Sequence, residues 1–340
     1  MTIKNNILRA LLAVFLTLAT GVSPAVLRAQ ESIPASVDNS KLKYFPPLIN
    51  QIGGSCAQAS YIGYMFTYEM NRLLDRDASE NKDNQFSYLY TWNFINGGVD
   101  EGSLGTDGLQ IAFEGGIATE ADFPSQYTSS QFKWTSGYEN YLKALHYRVK
   151  KIRTFNVLNR EGVDKVRNYL WNRGESGKSG GIVTFSSRSG SWTINTNYSG
   201  PSETGYKALL TKLSPTGAHA MTIVGYDDLV EFEAPDGTVS KGAFIVCNTW
   251  GEHHFQHDRG RFYLPYWFWE QSDRDLSALG ADMVGTDVEY REPKVVFRVK
   301  LDYSSRDDLS FRIGVSNRAS DKLPANDFLV PIANHQGGDY

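Results

Sequence analysis

Cysteine is nearly missing from this chain: Cys56 and Cys247 are the only two in 340 residues. One disulfide is the most they could form, so no cysteine framework staples the fold. Clustered positive charge is missing too. The net charge is -4 and there is no long basic run. Neutralising a phosphate backbone needs grouped Lys and Arg, so no nucleic-acid partner is expected. Beyond the N-terminus, no stretch is long and apolar enough to cross a bilayer. Internal repeats and low-complexity tracts are absent as well.

The N-terminus has the layout of an export signal. Lys4 and Arg9 precede an apolar stretch from Leu11 to Ala19. Ser23 and Ala25 are then spaced as a cleavage site, with Ala29-Gln30 as a second one. The expected division is a signal peptide over 1–29, a leader over 30–45, a main domain over 46–290 and a further module over 294–340. The mature chain is expected to be exported and free of membrane spans. Its compartment would permit a disulfide.

What is present is ordinary globular material, 41% hydrophobic and 21% charged. The 19 Tyr, 18 Phe and 7 Trp suit strands and extended clefts more than a helical bundle. The first half reads as helices. Ser55 and Gln58 have the S-x-x-Q spacing of a capping box. Ile62, Met65, Phe66, Met70, Leu73 and Leu74 then recur at a helical period. "FSYLYTWNFIN", "LQIAFEGG" and "REGVDKVRNYLWNRG" are further helices, the second closed by Gly115-Gly116. The second half reads as strands: "GGIVTF", "HAMTIVGYDD", "KGAFIVCNTWG" and "GRFYLPY". Between the first two, "SSRSGSWTINTNYSGPSETG" is expected to be a surface loop, and "EFEAPDGTVSKG" a hairpin. After residue 293, "VVFRVKLDY" and "LSFRIGV" alternate apolar and polar and suggest the opening strands of a β-sandwich.

Cys56 raises the question of chemistry. As the first residue of a helix, its sulfur would lie beside unpaired backbone N–H groups, which favour a thiolate. A histidine within reach would stabilise it further. His219 opens an apolar strand, a rigid position at an edge where a cleft can form. On its own it reads first as a satisfied core histidine. "FIVCNTWG" supplies a polar Asn248 at the end of a buried strand, and a buried amide needs a partner. Trp250 lies on the same side as Asn248 and could shield a His–Asn bond. The same alternation turns Cys247 to the other face, against a Cys56–Cys247 disulfide. His253, His254 and His257 in "HHFQH" invite a zinc reading, but no cysteine or carboxylate set of the usual type accompanies them. No metal and no cofactor are expected.

Three blocks, in order, resemble the active-site segments of papain-like cysteine peptidases: "NQIGGSCAQAS", "AHAMTIVGYDD" and "CNTWGEHHFQHDRGRFYL". "GSLGTDGLQIAFEGGIATEADFPS" resembles that family's Gly-rich substrate loop and the helix after it. The resemblance implies an α+β fold in two lobes, one helical and one β-barrel-like, with a cleft for an extended peptide or protein substrate. It also implies that Cys56 is the nucleophile, His219 the general base and acid, and Asn248 the residue that orients the imidazole. Gln51 would share an oxyanion hole with the Cys56 backbone N–H. Ser103, Leu104 and Trp250 would line the cleft. The sequence departs from the family in a Gln51-to-Cys56 loop one residue short, in Ala57 where a tryptophan is usual, and in having no framework cysteines. Residues 30–45 are too few for a propeptide that fills a cleft. Two other readings stay open: a peptide-binding or adhesive relative without turnover, and an amide hydrolase or acyl transferase acting on a non-protein substrate.

Overall fold

A computed structural model describes residues 32–329, apart from 127–132, 136, 274, 301 and 304–309. The expected export signal lies outside the described residues, and every element below belongs to the unit that begins at Pro34. The first long element is helix α1. It is α-helical over Cys56–Gln58, opens into π turns over Ala59–Phe66 and closes as an α-helix over Thr67–Leu74. The sequence pattern predicts one buried stripe, yet every residue from Ala57 to Asn71 is buried. A helix covered all round lies inside a core.

Burial on all sides means that the polar residues of α1 must find partners. Ser60 Oγ donates to the Ala220 carbonyl at 3.0 Å. Thr67 Oγ1 accepts from the Phe86 N–H at 3.1 Å and donates to the Ile62 carbonyl at 3.3 Å. That carbonyl lies five residues back, the span of the wide turn. Asp75, at φ 53°, stops the helix in the left-handed region.

Helices α2 (Tyr88–Ile95) and α3 (Gly105–Gly115) pack beside α1. Gly116, at φ 74°, ends α3, as the Gly-Gly pair predicts. Helix α4 (Tyr138–Ala144) leads into strand β2 (Tyr147–Asn156), and α5 (Arg160–Asn172) follows. The remaining strands of the main sheet are β1 (Ser36–Asp38), β3 (Val183–Arg188), β4 (Thr193–Asn195), β5 (Leu209–Lys212), β6 (Ala218–Glu233), β7 (Val239–Cys247), β8 (Arg261–Pro265) and β9 (Asp282–Tyr290). A short helix, α6, spans Trp267–Glu270.

One mixed sheet of nine strands runs in the order β2-β9-β3-β6-β7-β8-β5-β4, with β1 also on β6. Only the β5–β8 pair is parallel. The class is α+β. Strand β6 is the spine: it pairs with β3 from Ala218 to Ile223, with β1 from Gly225 to Asp227, and with β7 along its other side. The expected hairpin is the β6–β7 turn, tightened at Gly237, φ 81°.

Three expectations change, and one strand, β2, arises where no element was expected. Ser36–Asp38, assigned to a leader, is a strand of the main sheet. It fits because Gly225 has no side chain; a Cβ there would lie 2.0 Å from the Val37 carbonyl. The expected surface loop after β3 buries Trp192 and Tyr198 and contributes β4. Its polar residues are held from within: the fully buried Asp227 carboxylate accepts from Ser202 Oγ (3.0 Å), Glu203 N (2.8 Å) and Thr204 N (2.9 Å). Strands β2 and β9 pair along most of their length, although the charged "YRVKKIRTFN" shows little apolar alternation. Finally, "VVFRVKLDY" forms no strand among its described residues, and Phe297 and Val299 are exposed. Alternation alone does not hold a strand that has no ladder to join. "LSFRIGV" contributes only β10 (Arg312–Val315), paired with β11 (Asn326–Leu329).

Helix α1 is tied to the sheet by a buried ionic chain. Glu69, with no exposed surface, accepts from Arg72 Nε (2.9 Å) and Arg173 Nη1 (2.6 Å). Arg173 also bonds Asp287 on β9, which pairs with Arg153 on β2 at 2.7 Å. Removing one member strands a buried charge. Glu69→Gln should cost about 3–5 kcal/mol, read as a lower urea midpoint; an unchanged midpoint would contradict this role.

Candidate active site

Three elements converge around His219. The residue is the second of β6 and is 5% exposed. Asn248 follows the last residue of β7 and has no exposed surface. The start of α1 packs on β6, which brings the half-buried Cys56 next to the same place. The backbone N–H groups of Ala220, Ala57 and Cys56 itself face the sulfur. Ala220 is the neighbour of His219, so the start of α1 meets β6 next to the position that carries His219.

The orientation of the Asn248 amide follows from one bond. The Thr249 backbone N–H, which can only donate, reaches Asn248 Oδ1 at 2.7 Å. That atom is therefore the oxygen. His219 Nε2 lies 2.7 Å from the same oxygen. It must carry a proton and donate it, because Oδ1 only accepts. The neutral ring then has its lone pair on Nδ1, the nitrogen not engaged by Asn248. Trp250 lies flat on the imidazole, with centroids 4.6 Å apart and planes at 24°. Trp192, from the buried insertion, packs against Trp250 at 5.5 Å. The aromatic cover keeps water from competing for the His219–Asn248 bond.

The backbone around the site is cross-braced. Tyr64 Oη, from α1, donates to the Asn248 carbonyl at 3.1 Å and accepts from Ile49 N at 2.7 Å. Gln51 N donates to the Thr249 carbonyl at 2.7 Å, and Gly251 N to the Ile49 carbonyl at 2.9 Å. Residues 49–51 thus run antiparallel to 249–251. Gln51 is held on both atoms of its amide: Oε1 accepts from Thr249 Oγ1 at 2.5 Å, and Nε2 donates to the Gly53 carbonyl at 2.8 Å. The short loop uses one of the two Nε2 hydrogens, leaving the other.

The expected capping box is not made. Ser55 gives no side-chain cap, and its buried hydroxyl has no hydrogen-bond partner. Gln58 turns the other way. Its Nε2 donates to Ser103 Oγ (3.1 Å) and to the Leu104 carbonyl (2.9 Å), and its Oε1 accepts from Thr91 Oγ1 (2.9 Å). The S-x-x-Q spacing thus marks an anchor that fastens the Gly-rich loop to the cysteine helix. Gly108 makes room for it, since a Cβ there would sit 1.8 Å from Gln58 Oε1. Ser103 is tied down by this anchor, while the Leu104 side chain is left exposed.

Burial governs the protonation states. It pushes the Cys56 thiol up, outweighing the backbone N–H groups that favour the anion. It pulls His219 down to about 4, against the bond to Asn248. Desolvation thus opposes the thiolate that the helix start favours, and it is the larger effect. Both cysteines are free thiols. Cys247 is fully buried, and its thiol is pushed up to about 11. Among the described residues, no group of three or more His, Cys, Asp or Glu is placed to hold a metal ion.

Sequence reading missed Trp192 and His257. His257 lies behind Asn248, with its Nε2 3.2 Å from Asn248 Nδ2. Burial, assisted by His254 and His219, pulls it down to about 3. Two histidines kept neutral in the fold titrate near 6.5 once unfolded. Below that pH the unfolded chain binds protons that the folded chain does not. Stability should therefore fall as pH drops through about 6 and level off only near 3–4. Urea midpoints at pH 7 and pH 5 test this; a higher midpoint at pH 5 would contradict it. The loop anchor has its own test. Gly108→Ala should displace Gln58 and speed amide exchange across residues 99–104, with α1 still protected.

No protein-family model matches the chain, and no curated protein matches it. Similar solved structures exist. Xylellain, a cysteine protease from Xylella fastidiosa, is 18% identical, with 75% of this chain and 86% of that one covered and a TM-score of 0.49. The bromelain protease from Ananas comosus is 14% identical, with 75% and 99% covered and a TM-score of 0.49. The digestive procathepsin L2 proteinase from Tenebrio molitor is 15% identical, with 76% and 70% covered and a TM-score of 0.48. These likenesses are distant, and the chemistry is taken from the side chains described above.

Proposed function

We propose that this chain is a papain-like cysteine peptidase that hydrolyses peptide bonds through Cys56, His219 and Asn248. The observation that carries the reading is the fixed tautomer of His219: its Nε2–H is committed to Asn248 Oδ1 at 2.7 Å, which leaves the Nδ1 lone pair to serve as a base. A histidine that merely filled a core would not need an amide partner locked in turn by Thr249.

The steps follow from this arrangement. His219 Nδ1 takes the thiol proton as sulfur bonds to the substrate carbonyl carbon. The carbonyl oxygen gains the electron pair and meets the Cys56 backbone N–H and the remaining Gln51 Nε2 hydrogen. Collapse breaks the C–N bond, and the amine leaves with the proton held by His219. Water then attacks the thioester, again giving its proton to Nδ1. The C–S bond breaks, releasing the acid and restoring the thiol. Ser103, Leu104 and Trp250 are proposed to flank an extended peptide. Export of the mature chain belongs to the same reading. Among the described residues, no helix is long and apolar enough to cross a membrane.

Alkylation of Cys56 by iodoacetamide tests the base. With His219 titrating near 4, the rate should be half-maximal near that pH and flat through neutrality. In His219→Ala, reaction should wait for the raised thiol to ionise in alkali. Coincident profiles would remove His219 from the chemistry. A peptide-library digest should show cleavage by the signal-free protein and none by Cys56→Ala. Gln51→Ala should lower turnover by about 10²–10³-fold with the fold intact; unchanged turnover would remove Gln51 from the oxyanion site.

A further inference from the structure

The mechanism above leaves "HHFQH" without a task, although one of its histidines touches the centre of the site. Resting on the Cys56–His219–Asn248 reading, we propose that His257 is a positioning residue. It accepts a hydrogen bond from Asn248 and thereby holds that amide, and through it the His219 tautomer, in the orientation needed for proton transfer.

Hydrogen-bond logic fixes the direction of each contact. Thr249 N–H identifies Asn248 Oδ1 as the acceptor, so the other end of the amide is Nδ2, a donor. His257 Nε2, 3.2 Å from Nδ2, must then present its lone pair. The proton of the neutral ring lies on Nδ1, which is buried and has no hydrogen-bond partner. Nothing else near the ring sets its tautomer, so the contact with Asn248 alone does. The two rings end up as opposite tautomers across one amide: His219 donates from Nε2, and His257 accepts at Nε2.

The ring is held for this purpose. It stacks on Phe262, with centroids 5.5 Å apart and planes at 16°, and on Trp250, at 5.8 Å and 24°. His254 lies 4.6 Å from it. The segment is pinned by the His257 N–H to the His254 carbonyl, 2.9 Å, and by Trp192 Nε1 to Gln256 Oε1, 2.9 Å. Without His257, Asn248 would be held at its oxygen end alone, by the Thr249 N–H and His219 Nε2–H. If Asn248 turned, Nδ2 would face His219, whose Nε2 would have to accept. The proton would move to Nδ1, and the base would be lost. An acceptor at His257 makes the turned state pay twice, since Oδ1 would then face a lone pair.

Two variants separate positioning from packing. His257→Phe keeps the ring but removes the acceptor. His257→Gln restores an acceptor at the former Nε2 position. Imidazole ¹⁵N spectra of the intact protein should show His257 protonated on Nδ1 and His219 on Nε2. In His257→Phe, the His219 signal should become a tautomer mixture and iodoacetamide labelling of Cys56 near neutral pH should slow on the order of tenfold, with recovery in His257→Gln. His257 protonated on Nε2 in the wild type would overturn the proposal, and so would a pure His219 Nε2–H signal in the Phe variant. Should His257→Phe not fold, the wild-type spectrum and the Gln variant still decide. These readouts need no peptide substrate. A wild type with slow labelling but the expected tautomers would sink the peptidase reading and leave the positioning role of His257 standing.

Discussion

One hydrogen bond sets the sense of everything around it: the Thr249 backbone N–H to Asn248 Oδ1. A carboxamide has two ends of nearly equal shape and opposite polarity, and only its neighbours can distinguish them. A backbone N–H cannot reverse its role, so this contact decides which end faces His219. The decision passes through the imidazole to Nδ1. Bracing by Tyr64, by the 49–51 strap and by the aromatic cover serves to keep that short stretch of backbone still.

Charge in the site is managed by exclusion of water. The start of α1 offers the sulfur backbone N–H groups, yet desolvation raises the Cys56 thiol and lowers the His219 imidazole. A neutral pair is cheaper to bury than an ion pair.

Much of this could be read from the residues. Strand alternation in "FIVCNTWG" sets Asn248 and Trp250 on one side, and in the structure both meet His219. The helices of the first half and the strands carrying His219 and Asn248 follow from apolar periodicity and Gly boundaries. What could not be read is where one pattern serves two purposes or none. S-x-x-Q suits a cap, but Gln58 is drawn off by the unpaired groups of a loop more than forty residues away. Trp192 is surrounded by serines and threonines, and only the buried Asp227 explains why so polar a segment folds inward. "YRVKKIRTFN" becomes a strand because β9 supplies a partner and Asp287 supplies counter-charge for Arg153. "VVFRVKLDY" has the better alternation and no ladder to join.

Strand β1 would set a limit on any N-terminal trimming. Ser36–Asp38 closes the flank of β6 from Gly225 to Asp227, on the strand that presents His219. Trimming at either proposed signal site stops short of this strand. A protease that trimmed into it would uncover hydrogen-bonding backbone on the spine of the sheet, an open edge inviting association with another chain. The short segment that resembles a spacer in the sequence is therefore a seam, and the usable N-terminus of the folded protein lies ahead of it.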